Sequence, residues 1–237
     1  MRRSVAVTST AAAGLCAALL GLTAFVSAAA GPDTDPNVGK PPKPLTVPLQ
    51  WELKIDIERL RCLPMRLPGE KRDQLFWYLR YTVTNLTDED HVFVPEFILY
   101  TETGQVSRAG KSVPTAVFYK IKKLHEDPLL KTQTSVTRKI LRGRDNAKSG
   151  AAIWPDFDPN CGVIDIFIGG LSGETKTIPL PKPVKVVETD YLGNKKTVTK
   201  NSLILTKTLQ LRYLIAGEKA ARRRTVPKLL KKQWVMR

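Results

Sequence analysis

From Trp51 onward the chain alternates. Trp51, Leu53, Ile55 and Ile57 are apolar, while Glu52, Lys54, Asp56 and Glu58 between them are charged. A period of two sends the two sets to opposite faces of an extended strand, so this segment reads as a strand with one wet face. A helix, with its period of about 3.6 residues, has no single face that buries such a pattern. Leu75, Trp77, Leu79, Tyr81 and Val83 repeat the alternation, but Phe76 and Tyr78 put large groups on the second face as well. That segment is expected to be a central strand covered on both sides. Asn85 to Asp90 reads as a polar turn, and the β-rich run His91 to Tyr100 is expected to pair back as a hairpin.

The middle of the chain is mixed. Pro114 to Asp127 carries proline at a plausible first turn, with Val117, Ile121 and Leu124 at helical spacing and Pro128 as a stop. The segment predicts a short crossover helix with Lys120, Lys122 and Lys123 outward. Ser135 to Leu141 reads as a strand and the charged stretch Arg142 to Gly150 as a loop. Strands return at Ala151–Trp154, Gly162–Ile168, Thr175–Pro179, Val184–Thr189 and Lys195–Thr199. Leu203 to Ile215 reads as a long final strand, with Lys207 breaking its apolar parity, so one end of it is expected to be exposed or bulged. Short strands with polar turns, without a βαβ rhythm or a glycine-rich strand-to-helix turn, point to an all-β fold. The expected architecture is an antiparallel immunoglobulin-like β-sandwich with a short helical insertion, an eight-stranded barrel being the main rival.

The segment Leu75-Phe-Trp-Tyr-Leu-Arg-Tyr-Thr-Val-Thr-Asn-Leu-Thr87 resembles the early strands of secreted immunoglobulin-like proteins of unknown role, where Tyr-x-Val-x-Asn begins a hairpin. The resemblance covers about 25 residues; it implies the fold and carries over no activity and no functional residue.

The ends add context. Arg2 and Arg3 precede an uncharged stretch that closes on Ala28-Ala29-Ala30, the pattern of a cleaved secretory signal spanning residues 1–30. The competing reading is an uncleaved anchor, since the stretch is long enough to span a bilayer. Residues 31–50 form a proline-rich linker, residues 51–216 the folded domain and residues 217–237 a basic tail. Cleavage leaves Cys62 and Cys161, and an oxidising compartment favours joining them. That bridge would close a loop of about 100 residues, for which chain entropy predicts about 4–5 kcal/mol.

Candidate chemistry is sparse. His91 and His125 have no partner at metal-ligand spacing. Asp156, Asp158 and Asn160 place oxygens at alternate loop positions as a calcium loop does. Against that stand a late glycine, Pro159 inside the loop and Phe167 where a closing glutamate belongs. Asn85-Leu86-Thr87 fits the N-glycosylation pattern at a turn expected to be accessible. Asp56 and Glu58 share a strand face, but the polar one. No cofactor is implied.

The strongest clue is charge. The chain carries a formal +16, and Glu218 to Arg237 holds eight basic residues against one acid. Arg222, Arg223, Arg224, Lys228, Lys231 and Lys232 are the expected contacts to an anionic surface, with Leu229 and Trp234 either as apolar anchors or docking the tail on the domain. The expected protein is secreted or periplasmic and envelope-associated. It reads as a non-enzymatic interaction module whose partner is an anionic envelope polymer, a lipid headgroup or an acidic protein rather than nucleic acid. The alternative is a small hydrolase or carbohydrate-active protein with a site formed by distant acids.

Overall fold

The expected central strand organises one sheet. In the computed structural model, which describes residues 42–44, 50–189, 193–215, 224 and 226–237, the strands run in chain order as follows. They are β1 (Lys54–Ile57), β2 (Arg61–Met65), β3 (Gln74–Asn85), β4 (His91–Phe93), β5 (Glu96–Thr101) and β6 (Val106–Arg108). After helices α1 (Thr115–Leu124) and α2 (Gln133–Val136) come β7 (Arg138–Ile140), β8 (Gly143–Pro155), β9 (Val163–Gly169), β10 (Thr175–Thr189), β11 (Lys195–Leu214) and β12 (Lys228–Met236). The fold is all-β with a small helical insertion.

β3 pairs antiparallel with β1, β2 and β8. Its odd residues Trp77, Leu79, Tyr81 and Val83 join Ala152 and Trp154 of β8 in one apolar cluster with Phe97 and Leu99 of β5, Ile164, Ile166 and Ile168 of β9, and Leu209, Leu211 and Tyr213 of β11. Its even residues Phe76 and Tyr78 face Val117, Phe118 and Ile121 of α1. The helix therefore supplies the second cover that the doubly apolar pattern required. Full burial of side chains this size contributes about 1.5–3 kcal/mol each. Gly150 lies opposite Tyr81 in the ladder, and a Cβ there would sit 2.6 Å from the ring, so only glycine lets β8 approach.

Several expectations change. The run after Asn85 does not fold back on β3. β4 pairs with β7, and β5 enters the second sheet between β6 and β9. Pro95 separates the two pieces, and a proline inside a run of apolar residues ends ladder pairing. The stretch expected as a loop, Arg142 to Gly150, is largely strand: Lys148, Ser149 and Gly150 pair with Val83, Thr82 and Tyr81, and after a register shift Gly143 pairs with Asn85, while the exposed side chains between them give no apolar signal. Ser135 to Leu141 splits into the end of α2 and β7. The stretch expected as Leu203–Ile215 lies in the twenty-residue β11 up to Leu214, and β11 is not the last strand, because β12 follows and pairs with it.

No disulfide joins Cys62 to Cys161: no Sγ–Sγ pair lies at bonding distance. Cys62 sits in β2 opposite Trp77, while Cys161 is buried in the turn before β9, so different elements hold the two.

Candidate interaction surface

β10 and β11 form a hairpin that leaves the body of the protein. Their register runs from Thr175 opposite Thr206 to Thr189 opposite Lys195, shifting once between Pro179 and Val184. None of the described side chains between Thr175 and Thr206 is buried. Val187 is 58% exposed and Ile204 67% exposed, values more typical of a loop than of a strand in a sheet. The ribbon carries Lys176, Lys182, Lys185, Lys195, Lys196 and Lys200 against Glu188 and Asp190. Lys200 Nζ lies 2.7 Å from Glu188 Oε1, and this hydrogen-bonded lysine holds the Glu188 carboxyl below its usual range.

The root of this arm is a buried lysine. Lys207 is 2% exposed, and its ammonium lies 2.9 Å from Glu52 Oε2 and 3.1 Å from Glu174 Oε2, with the Trp234 ring centroid at 5.2 Å. Burial alone pulls its pKa down; hydrogen bonds to Glu52 and Glu174 overcome that and leave it raised. The lysine that interrupts the apolar parity is thus inside, and the residues before it, Leu203 and Ile204, are the exposed ones. The end of the apolar face was legible; the burial of its interrupting charge was not.

The hydrogen bonds at the root also fix which way the arm's backbone points. Thr206 exchanges N–H···O bonds with Arg237 on the β12 side, at 2.8 and 3.0 Å. The Lys207 amide donates to Glu174 at 2.9 Å on the β10 side. Successive residues of an antiparallel strand turn their backbone groups to opposite edges. Beyond Thr206, the amides and carbonyls of Ile204, Ser202, Lys200, Val198 and Lys196 therefore face the edge that β12 leaves at Arg237. Among the described residues no strand pairs with that edge. The outer edge of β10 differs: Pro179, opposite Ser202, has no amide donor there, and Pro181 and Pro183 lie in the register shift.

The tail residues divide. Arg222 and Arg223 lie outside the described residues, as do the expected signal 1–30 and all but Pro42–Lys43–Pro44 and Gln50 of the linker. Arg224 is exposed. Lys228, Lys231 and Lys232 are exposed on β12, a strand of the sheet rather than a loose tail. Lys231 lies opposite Arg212, whose guanidinium is held bidentate by Asp165 at 2.9 and 3.1 Å, and Lys232 lies opposite Leu211 on the other face. Trp234 is half-buried against the core while Leu229 is exposed.

The remaining candidates are occupied by structural tasks. Asp156 accepts from the Trp77 indole at 2.8 Å and from the Phe157 amide at 3.1 Å, while Asp158 accepts from the Asn160 amide at 2.9 Å. No group of three or more potential metal-binding side chains occurs among the described residues. Asn85 is fully buried, correcting the expectation of an accessible acceptor. Its amide donates to the Glu89 and Ile140 carbonyls at 2.7 and 3.1 Å, so the turn after β3 closes around the group a glycan would need. His91 stacks on Trp51 with centroids 4.4 Å apart, and His125 meets the Tyr78 hydroxyl at 3.0 Å.

A cavity of about 610 Å³ lies beside β12, with Arg59, Arg61 and Lys228 on its wall; its one carboxylate, Glu58, reaches Arg80 at 3.3 Å. A second, of about 290 Å³, lies at the start of α1 and has no carboxylate in its lining. No helix among the described residues is long and apolar enough to cross a membrane. Comparison with known proteins returns no matching family model, no similar curated protein and no similar solved structure.

The arm lysines do not stand out as a group in the sequence, where this segment reads as three short strands of a sandwich. One signal was present: in Lys182 to Lys200 polar residues occupy both parities, so neither face of the segment can belong to a core.

Proposed function

We propose that this chain is an exported, non-enzymatic interaction module, an immunoglobulin-like β-sandwich that offers a basic β-arm to an acidic partner. The observation that carries the reading is the β10–β11 ribbon, whose described side chains bury nothing and hold six lysines against Glu188. An isolated two-stranded ribbon is marginal in water, so an arm of this length contributes little to folding by itself. Its basic and apolar side chains suit an anionic surface with apolar patches. Lys228, Lys231 and Arg224 extend the positive charge along β12 and its approach.

Fractionation of the native host tests this reading. A high-salt wash of the envelope pellet, with intact mass on each fraction, is expected to release a chain beginning at Gly31. A chain freely soluble at low salt would sink the envelope attachment. Exchange of Lys182, Lys185, Lys195 and Lys196 for glutamine is expected to lower the salt needed for release, because each lost contact removes a screened charge interaction.

A further inference from the structure

We infer that the arm recognises its partner by strand addition: an extended acidic polypeptide segment pairs with the open edge of β11 between Lys196 and Ile204. The inference rests on the acidic-partner reading above and deepens it by naming the partner's chemistry and conformation.

The backbone is the first argument. Counted by strand alternation from the Thr206–Arg237 exchange, the Ile204, Ser202, Lys200, Val198 and Lys196 amides and carbonyls turn to the edge that continues the β12 ladder past Arg237; the extra residues of the register shift lie in β10, and β11 runs through it unbroken. The other edge of the same residues is already held by β10. An incoming strand thus finds a backbone edge aligned with an existing sheet, the geometry of strand-addition recognition, where main-chain bonds supply affinity and alternate side chains supply selectivity.

Charge chooses the occupant. A second copy lying antiparallel on this edge about a two-fold at Lys200 would set Lys200 against Lys200, and like charges opposite one another across a ladder destabilise it. Lysines on an exposed edge oppose self-pairing for the same reason. A strand with glutamate or aspartate at alternate positions reverses the sign and meets Lys196 and Lys200 on one face. Val198 and Ile204 share the acids' face, and the residues between the acids meet the other face, with Thr197, Thr199 and Leu203.

The edge itself can be edited without dismantling the hairpin. Residues 198 and 202 do not bond β10 through their amides, so Val198→Pro and Ser202→Pro remove donors from the open edge alone. The probe is a fluorescein-labelled decapeptide of alternating glutamate and valine, titrated against the full mature chain, with a sulfated polysaccharide as a second probe. The expected result is peptide binding by the native chain and at least a tenfold loss in the double proline variant, with polysaccharide binding unchanged. In the same complex, amide hydrogen exchange is expected to slow at 196, 198, 200, 202 and 204. Circular dichroism and the thermal midpoint of the double variant verify its fold; if it is unfolded, the exchange pattern of the native complex decides.

Peptide binding that the proline variant retains, or exchange that does not slow at those amides, overturns strand addition. If the glutamine exchanges at the lysines still weaken both probes in that case, the acidic-partner reading stands alone. If neither probe binds and host fractionation shows no salt-releasable chain, the acidic-partner reading itself falls.

Discussion

Lys207 shows how one side chain sets the boundary between body and arm. A lysine this buried is tolerated because two carboxylates meet it, at 2.9 and 3.1 Å. Removing the cation leaves Glu52 and Glu174 facing each other without it, the half of a buried pair that costs most to break. Lys207→Met keeps the stem and loses the charge, and is expected to lower stability by about 3 kcal/mol in urea denaturation. Adding Glu52→Gln and Glu174→Gln to the same chain is expected to recover most of that loss. A triple variant as unstable as the single one would mean that the stem's packing, not the charge, matters here. The interruption at this position is legible in the sequence, with exposure expected near it. The meeting of Glu52 and Glu174 at one point is not, because they approach from separate stretches of the chain.

At the scale of elements, the alternation makes β1, β3 and the body half of β11 legible, and proline with helical spacing reveals α1. Pairing partners were not legible. Local pattern says that Asn85 is followed by a turn, but not that β5 will cross to the second sheet, since that choice depends on which apolar faces remain uncovered. The extension of β8 from Gly143 shares this cause: its side chains are solvated and only the backbone is committed. The arm was divided for the opposite reason, its prolines reading as breaks in a segment that the ladder carries through with one register shift. An element that buries nothing is dispensable for stability. Replacing Ile178 to Leu203 with an Asn-Gly turn is expected to leave the thermal midpoint within about 4 °C of the native value, equivalent to less than about 1 kcal/mol. A drop far beyond that would show that the ribbon is packed against the body.

For the whole molecule, the pKa directions predict a weakness in alkali. Burial raises the Tyr213 phenol to about 12, and raises Tyr81 further; Lys207 is also raised, by its carboxylates. Each group holds its proton more tightly folded than unfolded, so its stability contribution is intact below the unfolded pKa and lost as pH climbs through the folded one. Urea midpoints are therefore expected to hold steady through neutral pH and to fall from about pH 10 upward. Tyr213→Phe should flatten part of that decline. A midpoint that stays level to pH 12 would contradict the buried settings of these groups.

The proline-interrupted edge of β10 has a consequence for valency. A ribbon receptive on both edges is bivalent: each strand it accepts exposes another, and copies can grow into filaments. Pro179, Pro181 and Pro183 carry no amide hydrogen, so a strand arriving on the β10 side cannot form an unbroken ladder from Thr175 to Thr189. Growth from that side is interrupted at the prolines, which shortens any series that copies of the arm build.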